Sequence, residues 1–490
     1  MSARTVVAPR RFRGSARRPS TLRWYLPIAL ASVTVARWGV GTRTFAVVGV
    51  LTVVTFLHLP AWIWAASAVG VAIVIRAFTV SGILPSILDF ADFALIFLGL
   101  TAVFLRRGIT LDRDARRLGG ALLVLLTVAC FSWAMSPSDL LRPFFAFVLW
   151  AEPFVLVLML LADPPDRKEQ RILMTWFGAL VVLQIPFALH QWLTLGVGDP
   201  IVGTLLAPGG GSHSLAGIGA LVTIALITWA FSRSSVRGVG VMLVTAPLLI
   251  GLLVITDAKQ VTLALPIAAI ILLVTVRGAV GKFALLVPSV IALIILFSFV
   301  PAGKAALTFL EEAGQGKSGK LIGLEVFRQE LDGSLSGWVL GVGPANGLSR
   351  AAYLTDPTFG REGSPLFLLN LRPATLPPIA VAAAKRTTSE TSFNYPLSSL
   401  LGLLTDIGLV GLLAFAAVIG SLILPLWRRR REWLAQTALA GWAMSIPLAA
   451  NFDWWEQPPF MLTLALLTAL ALVWIPTAPT MDASIDEAIR

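Results

Sequence analysis

The sequence is poor in the residues that carry most soluble-enzyme chemistry. Among 490 residues there is one cysteine, Cys130, and there are three histidines and three tyrosines. A single cysteine excludes an intrachain disulfide framework and a cysteine-based metal site. His58, His190 and His213 are too scattered to suggest a zinc cluster. Charge is scarce as well: 13% of residues are charged against 57% apolar, with a mean hydropathy of +0.84. That balance excludes a water-soluble surface and with it a soluble enzyme.

What the chain has in place of charge is apolar runs, recurring from Trp24 almost to Ile475, with 16 Trp and 27 Phe among them. Bulky aromatics favour membrane interfaces, and about 20 apolar residues cross a bilayer. Spans are expected near 24–36, 44–58, 61–77, 87–105, 118–135, 142–161, 172–193, 214–232, 238–255, 260–276, 283–300, 396–426, 434–450 and 459–475. The expected fold is therefore an all-α polytopic integral membrane protein with about 14 transmembrane helices. The count drops to about 12 if 24–43 lies on the surface and 45–75 is one kinked span, with the same orientation.

Orientation follows from where Lys and Arg sit. The segment 1–23 holds seven Arg and lacks a small-residue cleavage site after its first apolar run, so it reads as a basic cytoplasmic tail and not as a removable signal peptide. With spans at 24–300 and 396–475 and a second tail at 476–490, the cytoplasmic segments hold 24 Lys/Arg and the short outer loops only five: Arg37, Arg43, Arg76, Arg142 and Lys259. This asymmetry is the positive-inside rule, and it places both termini in the cytoplasm of a plasma (inner) membrane. The net charge of +12 thus reports orientation and contact with anionic lipid, with no nucleic acid implied.

One segment breaks the pattern of short connections. Residues 301–395, between the eleventh and twelfth spans, hold nine Lys/Arg and eight Asp/Glu and must face outward. A loop of that length usually works as a lid or binding element. Leu324, Phe327 and Leu331 recur at helical spacing within Lys320–Leu331, which predicts a short amphipathic helix near the membrane; Leu354–Ala384, with five prolines, reads as irregular.

The polar residues at the outer ends are the candidates for chemistry. Asp89, Asp92, Glu152 and Asp406 are the carboxylates within spans, and burial forces each to face protein or water. Arg142 and Lys259 are isolated cations on the side that Lys and Arg avoid; each either snorkels to lipid phosphate or recognises an anionic substrate. Gly203-Thr204 leads into Gly209-Gly210-Gly211-Ser212-His213, either a flexible linker or an anion cradle at a helix start. His213, an imidazole that titrates near neutrality, stands where a base could meet substrate. Arg328 precedes Gly341-Val342-Gly343-Pro344, whose glycines suit a packed corner or a phosphate cradle.

Taken together, Gly203-Thr204, the outer Lys259, Arg328 ahead of Gly341-Val342-Gly343-Pro344, and Ser398 followed by Gly408 and Gly411 resemble the O-antigen ligase and polysaccharide polymerase superfamily of bacterial polytopic glycosyltransferases. The resemblance spans about residues 80–475. It implies a polyprenyl-pyrophosphate-linked glycan as substrate, the bilayer as the other partner, and no metal or cofactor. It further implies that Lys259 and Arg328 hold the pyrophosphate and that Asp406 matches an acidic residue preceding the glycine. In the ligase branch a His stands before Ser398; here the position is Leu397. The catalytic set expected is Arg328, Lys259 and His213, with Arg142, Gly341, Gly343, Ser398 and Asp406 binding substrate. Glu325, Glu330 and Glu390 are alternative bases, and a transfer with no dedicated base is the remaining alternative. Competing classes are a secondary transporter, for which two related halves would be expected and no internal repeat is visible, and a noncatalytic assembly scaffold.

Overall fold

The computed structural model describes residues 58–75, 78, 91–107, 111–205, 211–276, 279–299, 304, 307–308, 311, 314–315, 319–331, 333–355, 379, 382–383 and 397–474. The chain divides after Leu59, and the elements below belong to the unit that begins at Pro60. The spans expected at 24–36 and 44–58, Asp89, and most of Leu354–Ala384 lie outside the described residues.

Among the described residues the chain is all-helical, without strands, and six helices are long and apolar enough to cross a membrane. In chain order the helices are α1 (Ala61–Gly70, continued by a π turn at Val71–Ile75), α2 (Ala91–Arg107), α3 (Arg113–Met135), α4 (Leu141–Ala162), α5 (Arg167–Leu195), α6 (Gly211–Arg233), α7 (Ser235–Ile255), α8 (Lys259–Thr275) and α9 (Ala279–Phe299). The long loop contributes α10 (Gly319–Leu331), α11 (Leu335–Leu340) and α12 (Arg350–Thr355). After it come α13 (Ser399–Arg428), α14 (Trp433–Asn451) and α15 (Pro458–Val473).

Helix starts follow the local sequence. Asp112 accepts from Ala115 N (2.8 Å) to cap α3, and Asp166 and Glu169 form a reciprocal capping box at α5. Such caps satisfy backbone donors that a first turn leaves open. The core is centred on α15, buried along its whole length, with α4, α6, α13 and α14 around it. Phe154 of α4 meets Phe415 of α13 edge-on (5.4 Å) and stacks on Trp442 of α14 (5.8 Å). Trp442 also donates to Thr468 Oγ1 (3.0 Å), giving the buried indole N–H its partner.

The two ends of the bundle differ in chemistry. At one end, side chains satisfy the last carbonyls of helices: Gln170 donates to Val473 O and Gln436 to Thr275 O, both at 3.0 Å, and Arg429 donates to Ala471 O at 3.0 Å. Arg106 pairs there with Asp163 (3.1 Å), which also accepts from Ala61 N. At the other end α4, α6, α8, α13 and α15 all begin, and the loop helices pack onto them. The N-terminal ends of five helix dipoles therefore face the same region, a field that favours anions.

Candidate active site

Two of the contacts that shape the loop stand out, one within it and one to the bundle. In α10, Val326, Phe327 and Leu331 bury with Leu348, Ile379 and Ala383 in a small apolar core. The amphipathic helix expected from Leu324, Phe327 and Leu331 thus packs on the protein's own loop. The second contact is Asp406, which is fully buried. Its carboxylate accepts from Ala345 N (2.7 Å), Gly347 N (2.8 Å) and Ser349 Oγ (2.6 Å). Its carbonyl accepts from Gly343 N (3.0 Å) and Ser132 Oγ (2.8 Å), while Val342 N donates to Thr405 O. One residue of α13 thereby pins the turn 342–349 and the end of α3.

Two glycines make that approach possible. Gly341 (φ +78°) lies so close to the Asp406 carbonyl that a Cβ would stand 2.4 Å from it; Gly408 (φ +68°) kinks α13, and its Cβ would stand 2.3 Å from Val339 O. Only glycine combines a positive φ with such contact. Of the two roles open to Gly341 and Gly343, the structure has them in a packed corner. Ser398 accepts from Leu401 N (3.2 Å) and donates to Ala449 O (2.8 Å), so it is the N-cap of α13. Arg142 is buried beneath the same corner and donates to Asn346 Oδ1 (2.8 Å). It faces protein and does not snorkel to lipid.

The ionisable cluster lies beside this corner, around the turn Phe452–Gln457 that joins α14 to α15. Arg350 donates to Asp453 Oδ2 (2.6 Å), and Gln457 donates to Asp453 Oδ1 (2.8 Å). Gln457 Oε1 in turn accepts from Ser214 Oγ (2.6 Å), which ties α15 to α6 next to His213. The Phe452 ring meets the His213 ring edge-on at 6.4 Å and lies 5.6 Å from Lys320 Nζ. Lys320 also donates to the Leu397 carbonyl. Burial lowers the Lys320 pKa to about 7, with Asp453 opposing the shift.

Lys259 opens α8, and its ammonium pairs with Asp257 at 2.7 Å. It acts electrostatically on His213 together with Asp199, Asp257 and Asp453. His213 Nδ1 is buried without a hydrogen-bond partner among the described residues, and Nε2 lies 4.0 Å from Asp199. The segment before it is built, at least up to Leu205. Gln184 accepts from Thr204 N (2.8 Å), Gln191 accepts from Gly203 N (2.7 Å), and Thr204 Oγ1 donates to Ile73 O in the π turn (2.6 Å). Residues 206–210 lie outside the described residues.

Arg328 lies on the exposed face of α10, with Glu325 and Glu330; Glu390 lies outside the described residues. Sequence reasoning brought Lys259, His213 and Arg142 to this end but missed Lys320, Arg350, Asp453, Glu456 and Gln457. A signal was available: Asn451–Gln457 puts two carboxylates between apolar helices on the side where charge is sparse, the same anomaly that singled out Lys259. No protein-family model matches the chain, and no curated protein matches it significantly.

Proposed function

We propose that this protein is a membrane glycosyltransferase that polymerises or ligates a polyprenyl-pyrophosphate-linked oligosaccharide at the outer face of a bacterial plasma membrane, by inverting transfer without a metal or cofactor. The observation behind the proposal is the gathering of Lys259, His213, Lys320 and Arg350 where five helices begin, under a loop docked onto the bundle. Basic segments crowd the opposite end, which supports a cytoplasmic location for that end and for both termini, in a bundle of about 14 spans.

A sugar on a diphosphate leaves with a stable anion, so fixed cations and helix N-termini can support its departure. Lys259 and Arg328 have side chains that solvent reaches and are the groups assigned to grip the diphosphate. Lys320 lies against the Phe452 ring and Arg350 pairs with Asp453, while Arg142, Gly341, Gly343, Ser398 and Asp406 hold the corner in shape. Gene deletion should accumulate polyprenyl-linked oligosaccharide. Lys259→Ala and Arg328→Ala should each abolish long polymer at normal membrane abundance. A deletion strain that accumulates no such lipid but loses uptake of a small solute would overturn the reading in favour of transport.

A further inference from the structure

The acceptor hydroxyl must lose a proton as it attacks, and Leu397 supplies no imidazole for that step. Among the described residues, four other carboxylates near the loop are committed or turned outward. Asp406 accepts from three donors, Asp453 has both oxygens bonded to Arg350 and Gln457, and Glu325 and Glu330 lie on the exposed face of α10. Glu456 differs. It is buried at the start of α15, where Oε2 accepts from Ala351 N (3.2 Å) of α12, and Oε1 has no hydrogen-bond partner among the described residues. It is adjacent in sequence to Gln457, whose bond to Ser214 places it in the same turn network as His213.

We infer that Glu456 is the general base of the transfer, a role that rests on the glycosyltransferase reading. The acceptor oxygen forms its bond to the anomeric carbon as the bond from that carbon to the diphosphate oxygen breaks. The diphosphate leaves with the electron pair, and the hydroxyl proton passes to Glu456 Oε1 and then to water. The charged groups acting on Glu456 are Asp453 in its own turn, Asp406 in α13 and Arg350 in α12. Burial first, then Asp453 and Asp406, push its pKa well above the usual carboxylate range, against the Ala351 N–H and Arg350. Higher proton affinity makes a stronger base, one that works only once the medium is alkaline enough to ionise it.

The test uses the full-length protein in a deletion strain, with polymer and polyprenyl-linked oligosaccharide measured as the pH of the medium is varied. Glu456→Gln is expected to lower polymer at least about 100-fold at normal membrane abundance, with its residual activity no longer falling at acid pH. Glu456→Asp should restore part of the activity together with that acid limb. The inference is overturned if Glu456→Gln makes wild-type polymer, or if its residual activity keeps the wild-type acid limb, while the deletion strain still accumulates lipid-linked oligosaccharide. If the deletion strain accumulates none, the glycosyltransferase reading fails and takes this one with it.

Discussion

Replacing Asp406 by Ala should release the turn 342–349 from α13 without unfolding the bundle. The carboxylate satisfies the buried N–H groups of Ala345 and Gly347, and a methyl group leaves both without an acceptor. Each stranded donor costs about 1–3 kcal/mol, so the two together cost about 2–6 kcal/mol. Ser349 Oγ loses its bond too, but a hydroxyl can turn elsewhere, and it already accepts from Ala352 N (3.2 Å). The lower figure corresponds to roughly a 30-fold rise in the population of the opened turn. Amide hydrogen exchange on the purified protein in detergent reads this directly: Ala345, Gly347 and Leu348 should exchange at least about 30-fold faster, while the amides of α15 keep their protection. Asp406→Asn, which keeps one acceptor oxygen, should fall between. Unchanged exchange at Ala345 and Gly347 in Asp406→Ala would refute the assignment of the carboxylate as the pin.

Gly408→Ala forces a Cβ to within 2.3 Å of Val339 O at a positive φ. Backbone strain alone costs on the order of 1–3 kcal/mol, so the variant should lose thermal stability in detergent. Gly420→Ala, with open space around it, should not. The lowered pKa of Lys320, about 7 against 10.5, means that the unfolded chain binds the extra proton between those values. Stability should therefore rise with pH from about 7 towards 10.5. Lys320→Met should flatten that rise in thermal-unfolding curves, whereas an equal slope in both proteins would rule out a buried Lys320.

Hydropathy was enough to place several long helices among the described residues. The structure has Arg113–Met135, Leu141–Ala162, Arg167–Leu195 and Pro458–Val473 where runs at 118–135, 142–161, 172–193 and 459–475 were expected. A span is a local property, set by about 20 residues that must satisfy their own backbone. Caps are local for the same reason: Ser398 accepts from the N–H of Leu401, three residues on.

The meaning of individual charges was not local. Arg142 and Lys259 look alike in sequence as lone outer cations, yet one is sealed under Asn346 and the other stays partly open beside Asp257. Arg350 meets Asp453 across 103 residues and Asp406 meets Ala345 across 61. No periodicity encodes such pairings, because they depend on which helix ends the packing of α4, α6, α13 and α15 brings together. By itself, then, the sequence determined the long apolar helices among the described residues, since each is set by its own run of residues. Tertiary structure alone decided that Gly341 and Gly343 close a packed corner and that Glu456 is left buried with an open oxygen, since burial and hydrogen-bond satisfaction belong to the assembled chain.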